Sequence, residues 1–188
     1  MSLKIFGGVF KGFTLDAPRN SKTRPTSIQL RRKLFDSIQD MQEDHFVDLC
    51  CGTGAMGIEA LSRGVSKLSM VDTFAKLAQA NLKKLTSKFD VEANISVQKM
   101  DAIGFLQKNL EEFRQEKPII FFDPPYEKKD LYSEFMALPL SEIARLVVVE
   151  GCEQKTMRVA DFEDKYGKAD KVFKQGTSYF LLYRFDVE

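Results

Sequence analysis

Asp123-Pro124-Pro125-Tyr126 follows a short apolar run, Ile119-Ile120-Phe121-Phe122, that reads as a buried strand of an α/β sheet. Two consecutive prolines cannot continue that strand's ladder, and each fixes its own φ while restricting the residue before it. The turn at the strand's carboxyl end is therefore rigid, and it holds a carboxylate, exposed backbone carbonyls and an aromatic ring close together. Such a constellation can grip a planar base that bears an exocyclic amine. Asp123 and the Pro124 carbonyl would accept the two N–H groups, and Tyr126 would stack on the ring. The plain alternative is a proline-stiffened loop with a surface tyrosine.

A second constellation lies upstream. Gly52-Thr53-Gly54-Ala55-Met56-Gly57 fits G-x-G-x-x-G after a strand and before a helix. Taken alone it is weak, because such glycines let either a dinucleotide or S-adenosylmethionine approach the backbone. Asp48, just ahead of this loop, tilts the choice. A dinucleotide places its anionic pyrophosphate at this turn, where a carboxylate would repel it. S-adenosylmethionine brings no phosphate, but an ammonium and a sulfonium that a carboxylate favours. Asp72 closes the next strand, where an acid can accept from both ribose hydroxyls. Asp101 closes the third, near the place of an adenine amino group. Each has a reading as an ordinary strand-end or helix-cap acid. Yet Asp48, Asp72, Asp101 and Asp123 close four successive strands, a recurrence that capping alone does not account for, and it favours S-adenosylmethionine over nicotinamide.

These residues need a scaffold, and strand and helix signals alternate along the chain to supply one. Residues 3–6 and 12–15 form a small hairpin around Gly7-Gly8 and Gly12. A polar basic loop over 16–25 leads to Thr26 or Ser27, either of which can cap a helix with apolar positions Ile28, Leu34, Phe35, Ile38 and Met41. His45–Cys50 is a strand, followed by the glycine turn and a helix through Leu61. Lys67–Val71 is the second strand. Phe74, Leu77, Ala78, Leu82, Leu85 and Phe89 then line one face of a helix. Ile95–Gln98 is the third strand, with a helix from about Ala102 to Phe113. Ile119–Phe122 and Leu146–Glu150 are the fourth and fifth. Residues 168–186 read as an antiparallel hairpin with Gly176-Thr177 at its tip. This β-α-β-α order implies a mostly parallel sheet with helices on both faces and a ligand outside the strands' carboxyl ends.

The bulk properties narrow the classes. At 188 residues and 44% hydrophobic, the chain can bury one domain core with a small appendage. No apolar run approaches the ~20 residues that span a bilayer, and none at the start reads as a signal peptide, so a cytoplasmic location is expected. Cys50, Cys51 and Cys152 make no C-x-x-C spacing, and the single histidine, His45, argues against a zinc site or a Ser-His-Asp triad, so no metal is expected. The net charge of +1 conceals an asymmetry. Residues 1–33 carry eight basic side chains and one acid, a net +7, which leaves −6 for the remainder. Such an imbalance suggests a polyanion-binding edge on an acidic catalytic body, against the plain reading of a solvated basic face.

With these residues in view, the chain resembles the RsmD family, bacterial methyltransferases of the guanine N2 amine in small-subunit (16S) ribosomal RNA. The resemblance rests on Ile5-Phe6-Gly7-Gly8 with Lys11-Gly12 and Leu15, on Arg24-Pro25-Thr26, and on Arg31 with Leu34-Phe35. It continues through Asp48, the glycine loop, Glu59-Ala60-Leu61-Ser62-Arg63-Gly64, Asn81, Asp123-Pro124-Pro125-Tyr126 and Gly176-Thr177. The glycine loop and the Asp-Pro-Pro-Tyr turn are common to many amine methyltransferases, whereas Arg24-Pro25-Thr26 and the Glu59–Gly64 run are much more specific. Cys50-Cys51 departs from the family's usual aromatic and small pair, Asp72 stands where glutamate is common, and Ile28-Gln29 replace an acid and an arginine. The resemblance implies a Rossmann-like class I S-adenosylmethionine-dependent methyltransferase fold, a seven-stranded, mostly parallel sheet ending in an antiparallel hairpin. It divides the chain into a basic RNA-binding extension, 1–40, and a methyltransferase domain, 41–188. It implies cofactor contact through Asp48, Cys50, Gly52, Gly54, Gly57, Asp72, Asp101 and Ala102. Catalysis would fall to Asp123, Pro124 and Tyr126, and RNA contact to Lys11, Arg24, Thr26 and Arg31. The partner would be ribosomal RNA or a small-subunit assembly particle, met by a monomer. Rival readings are an amine methyltransferase for adenine N6 in DNA or RNA or for a protein glutamine, and a non-catalytic assembly factor that binds ribosomal RNA. The basic edge argues against glutamine, and the intact row of carboxylates against loss of catalysis.

Overall fold

The computed structural model describes residues 3–18, 28–38, 41–42 and 44–185. The chain opens with β1 (Leu3–Lys4) and β2 (Thr14–Leu15), paired antiparallel with Leu3 opposite Leu15. Then come α1 (Ile28–Ser37), β3 (His45–Leu49), α2 (Ala55–Ser62), β4 (Lys67–Asp72), α3 (Lys76–Thr86) and β5 (Asn94–Lys99). The second half comprises α4 (Ala102–Lys108), α5 (Leu110–Glu116), β6 (Ile119–Phe122), α6 (Lys129–Ala137), α7 (Leu140–Ile143), β7 (Leu146–Cys152), α8 (Val159–Tyr166), β8 (Lys171–Gln175) and β9 (Ser178–Arg184).

Among the described residues, seven strands form one sheet in the order β5-β4-β3-β6-β7-β9-β8. The first five are parallel, and β9 runs antiparallel to both β7 and β8. Every residue of β3, β6 and β7 is buried, because helices cover both faces and no solvent side remains for a polar alternation. Phe46, Leu68, Met70, Phe121, Val148 and Phe180 face one layer, built from α1, α2, α3 and the β1–β2 hairpin. Val47, Leu49, Val71, Ile120, Phe122 and Val149 face the other, built from α4 to α8. Phe122 stacks on Phe135 of α6 there, with ring centroids 4.1 Å apart.

The chain winds from β3 outward to β5, then returns across the sheet to β6. Strand order thus reverses between β3 and β6, and a crevice opens outside their carboxyl ends. The β1–β2 hairpin is fastened to α2. The Phe6 and Gly7 N–H groups each donate to the Glu59 carboxylate at 2.8 Å, and Phe10 N–H donates to Ser62 Oγ. Gly8, at φ +72°, passes so close that an added Cβ would lie 1.7 Å from the Ser62 carbonyl oxygen. Ile5, Phe10, Phe13 and Leu15 share one core cluster with the sheet, so the hairpin packs as part of the body.

Several expectations shift. The helix expected over 102–113 is two helices broken at Asn109, whose side chain donates to the Phe105 carbonyl at 2.7 Å. Phe74, expected on the buried face of α3, precedes that helix and is 83% exposed. Ile28 is also exposed, and Leu30 takes the inward position on α1. His45 begins β3 as a structural residue, its ring nitrogens 2.7 Å from Glu116 and 2.9 Å from Ser69 Oγ. The expected cap at Thr26 or Ser27 lies outside the described residues.

Candidate active site

Four acids project from the carboxyl ends of adjacent strands toward one sheet face. They are Asp72 on β4, Asp48 on β3, Asp123 after β6 and Glu150 on β7. The strand period sets this: Asp48 is two residues beyond inward Phe46, Asp123 two beyond Phe121 and Glu150 two beyond Val148. All three companions point to the layer that holds α1 and α2.

Asp48 is 1% exposed, and its Oδ2 accepts from Gly57 N–H at 2.8 Å. Burial outweighs that hydrogen bond, and Asp123 and Asp72 add negative potential, so its carboxyl is pushed up to about 8. The glycine loop runs just above it. Gly52 and Gly54 have φ of +52° and +76°, and Gly54 begins α2 as its N-cap. A side chain at Gly54 would strike Met70 Sδ at 2.8 Å, whereas a Cβ at Gly52 would meet nothing within 4 Å and points into the space a ligand would fill. Cys50 also holds a left-handed backbone, at φ +61°, which is uncommon for a residue with a Cβ. Its thiol is pushed up to about 12 by burial and by Asp123, Asp72 and Asp48.

Asp72 organises the next turn, accepting from Gly52 N–H at 2.9 Å and Phe74 N–H at 2.7 Å. A carboxylate has about four lone-pair positions, so two remain open to a ligand. Asp101 is the N-cap of α4, with Oδ1 accepting from Gly104 N–H at 2.7 Å. Ala102 is the first residue of that helix, where backbone N–H groups lack an intrahelical acceptor. The structure therefore gives Asp101 a capping role and leaves its second oxygen for a ligand.

Asp123 sits beside β3, its N–H 3.4 Å from the Leu49 carbonyl oxygen. Pro124 is buried and Pro125 exposed. Lys128 N–H closes the turn on the Pro125 carbonyl at 2.9 Å. Among the described residues no hydrogen bond reaches the Pro124 carbonyl, so it is a spare acceptor next to the Asp123 carboxyl. Burial pushes that carboxyl up to about 7, against a hydrogen bond from Glu150 that lowers it. Tyr126 is half-buried, with Ser178 at the start of β9 close enough to favour its ionised form. Burial and then the charge of Glu150 push its phenol up to about 12.

Two residues of this region escape the motif reading. Glu150 is 4% exposed, and its sequence signal is the one that marks Asp123, an acid directly after a four-residue apolar run. Phe74 presents an uncovered ring beside Asp72, and only a helical phase starting at Lys76 would have removed it from the buried stripe.

The basic residues divide. Arg31 is a correction: α1 turns it inward with Leu30, Leu34 and Phe35, and it is 1% exposed. Its Nη2 donates to the Lys4 carbonyl at 2.9 Å and its guanidinium lies 4.7 Å from the Phe6 ring centroid. Burial lowers its pKa, against Glu59 and Glu150, which hold its charge, so it serves as a counter-ion within the fold and presents nothing to a phosphate. Lys11 is exposed and lines a cleft of about 430 Å³ with Phe13, Lys84, Lys88 and Phe89. Arg24 and Thr26 lie outside the described residues.

A sequence profile described as Conserved hypothetical protein 95 matches residues 3–173, which takes in the hairpin, the whole row of acids and the Asp-Pro-Pro-Tyr turn. The chain belongs to this family, the RsmD family. It is similar to ribosomal RNA small subunit methyltransferase D of Buchnera aphidicola subsp. Baizongia pistaciae, 31% identical over 73% of this chain and 67% of the relative. It is also similar to YlbH of Bacillus subtilis, provisionally named an rRNA methyltransferase, 33% identical over 69% of this chain and 70% of that one. Among solved structures, YhhF from Escherichia coli, provisionally named a methyltransferase, superposes with a TM-score of 0.73 at 22% identity, covering 100% of both chains. The RsmD-family fold is thus the Rossmann-like class I methyltransferase fold, with the antiparallel β7-β9-β8 end that the sequence leads one to expect.

Proposed function

We propose that this protein transfers a methyl group from S-adenosylmethionine to the exocyclic N2 amine of a guanine in small-subunit ribosomal RNA. The observation that carries the reading is the Asp123 carboxyl beside the unengaged Pro124 carbonyl, at the switch point and next to the glycine loop. Family membership and the names of the relatives support the substrate class.

The residues present fit the cofactor. The buried Asp48 and half-buried Asp123 carboxyls, raised to about 8 and about 7, sit where a ligand bearing cationic centres would relieve them. S-adenosylmethionine, when bound, supplies an electrophilic methyl group. Asp48 and the glycine loop would hold its charged end, Asp72 its ribose, and Asp101 with Ala102 and the exposed Phe74 ring its adenine.

An exocyclic amine is a poor nucleophile because its lone pair is delocalised into the ring. Asp123 and the Pro124 carbonyl accept its two N–H groups and turn the lone pair toward the methyl. The amine becomes cationic as it reacts, and Asp123 favours that charge. One preorganised polar contact of this kind is typically worth ~3 kcal/mol in the transition state. A guanine must leave its stack to enter the crevice, and the half-buried Tyr126 ring would offer a replacement face. Lys11, Lys84 and Lys88 line a basic cleft suited to RNA phosphates.

Asp123→Ala is expected to lower kcat by roughly 10² to 10³ while cofactor affinity changes little. Wild-type turnover in that variant would sink the catalytic assignment. Mass mapping of small-subunit ribosomal RNA from cells lacking the protein should reveal one guanine without its methyl. An intact modification pattern would refute the substrate, and a lost adenine methyl would redirect it.

A further inference from the structure

Glu150 has no part in the chemistry just described, yet it stands against its centre. In the parallel register of β6 and β7, Phe122 lies opposite Val149, so Asp123 and Glu150 occupy the next rung on the same sheet face. Glu150 is 4% exposed, and its carboxyl adjoins that of Asp123, whose pKa it holds down. Two adjoining carboxyl groups can bond to each other only with a proton between them, because two carboxylates are acceptors only. Side by side on one sheet face, two such acids hold one charge between them more readily than two.

The surroundings are those of a pair that keeps one charge. From α1, Arg31 meets Glu59 of α2 most strongly and then Glu150. From β3 and β4, Asp48, Asp72 and the Cys50 thiol add negative potential or desolvation. Lys128 adds a weaker positive influence at Cys50. Tyr126 and Tyr132 face the two acids with neutral phenols, and the Tyr132 hydroxyl donates to the Glu150 carbonyl at 3.0 Å. Arg31 favours a single negative charge on the pair, and the neighbouring acids oppose a second.

We propose that Glu150 is a positioning residue for methyl transfer, sharing a proton with Asp123 so that one Asp123 oxygen is pinned and the other faces the substrate amine. This rests on the reading under Proposed function. In the transfer, the amine nitrogen forms the N–C bond as the C–S bond breaks, and that bond's electron pair stays on sulfur. The nitrogen then carries one proton too many. Asp123 accepts it, the pair passes from one proton to two and from one negative charge to none, and release of a proton to water restores it. Without Glu150, Asp123 has the same burial but a free rotor, and its pKa loses the hydrogen bond that holds it down.

The test is the pH dependence of kcat/KM for wild type, Glu150→Ala and Glu150→Gln on ribosomal RNA. Wild type should show an acid limb near pH 7, where the pair takes its second proton, and an alkaline limb where it loses its last. Glu150→Ala should lose about tenfold or more in kcat with cofactor KM unchanged, its acid limb moving to higher pH. Glu150→Gln keeps a donor, so it should recover part of that loss and shed the pair's alkaline limb. A wild-type profile in Glu150→Ala would overturn the proposal, as would an unchanged alkaline limb in Glu150→Gln. Infrared spectra of wild-type protein with isotope-labelled glutamate need no variant to fold: a glutamic-acid carbonyl band must persist at pH 7, and its absence overturns the proposal. If Asp123→Ala is inactive while both tests fail, only the role of Glu150 falls. If wild type methylates no RNA, the functional reading falls, and the infrared band still decides the pair.

Discussion

Asp48 carries its charge poorly because burial removes the water that would solvate it, and one hydrogen bond from Gly57 does not replace that water. Its folded value of about 8 lies far above the ~3.9 of an unfolded aspartate. The neutral form is therefore the one that folding favours. Asp48's contribution to stability is full below about pH 4, declines as pH rises, and is gone above about pH 8. The slope for one such carboxyl is ~1.4 kcal/mol per pH unit. Urea midpoints of ligand-free protein between pH 5 and 8 should fall less steeply in Asp48→Asn than in wild type. A cationic cofactor binds the ionised form, so the same group gives affinity the opposite trend. Affinity for S-adenosylmethionine should rise by up to about tenfold per pH unit below pH 8 and level off above it, and Asp48→Asn should flatten the rise. Equilibrium binding from pH 6 to 9 checks this, and a flat wild-type curve would remove Asp48 from the cofactor site.

Among elements, Asn81 of α3 joins parts that the sequence keeps far apart. It is fully buried, its Oδ1 accepts from Asp16 N–H at 2.7 Å, and its Nδ2 donates to the carbonyls of Asp16 and Thr53 at 3.0 and 2.9 Å. One side chain thus ties the β2 end of the hairpin to the glycine loop. Asn81→Leu would leave buried backbone groups unpaired and should cost about 2–4 kcal/mol of stability. Chemical denaturation would measure that, and weaker cofactor binding in the folded variant would show that the loop has loosened. This tie was not legible in the sequence, because it depends on which turn of α3 meets a loop almost thirty residues earlier. The strands were legible: a sheet covered on both faces writes itself as unbroken apolar runs, and the acids that end them stand out. Phe74 and Arg31 were not, since spacing marks a helix's stripe but not its first residue. Nor does a positive charge reveal whether an inward turn has found acids such as Glu59 and Glu150 to meet it. The break at Asn109 depends on a side chain bonding back to Phe105, which competes with the helix locally and leaves the apolar period undisturbed.

For the molecule as a whole, charge is divided in space as it is in sequence, with an acidic crevice at the strand ends and basic residues on the flank formed by the hairpin and α3. Residues 76–89 contain Lys76, Lys83, Lys84 and Lys88 and no acid, and Lys84 and Lys88 lie beside Lys11 of the hairpin. Lys84 and Lys88 each hold an ammonium 5.9 Å from the centroid of the Phe13 ring, and Phe13 packs edge-on against Phe89. Asp16 pairs with Lys84 at 2.7 Å, but both side chains are solvated enough that the pair contributes little and an incoming phosphate can compete for the lysine. Stacked against an aromatic and unscreened by other acids in the cleft, these lysines suit a ribosomal RNA backbone. Lys84→Ala with Lys88→Ala should weaken binding to every RNA sequence alike. The slope of log affinity against log salt should fall by about one for each phosphate that is no longer neutralised. Because Lys84 lies in the last turn of α3 and Lys88 just after it, at the end remote from Asp72, cofactor affinity should stay at its wild-type value. Binding titrations at four salt concentrations, with ribosomal RNA and an unrelated RNA of equal length, would decide it. An unchanged salt slope in the double variant would take the cleft out of the RNA path and leave that task to the residues before α1.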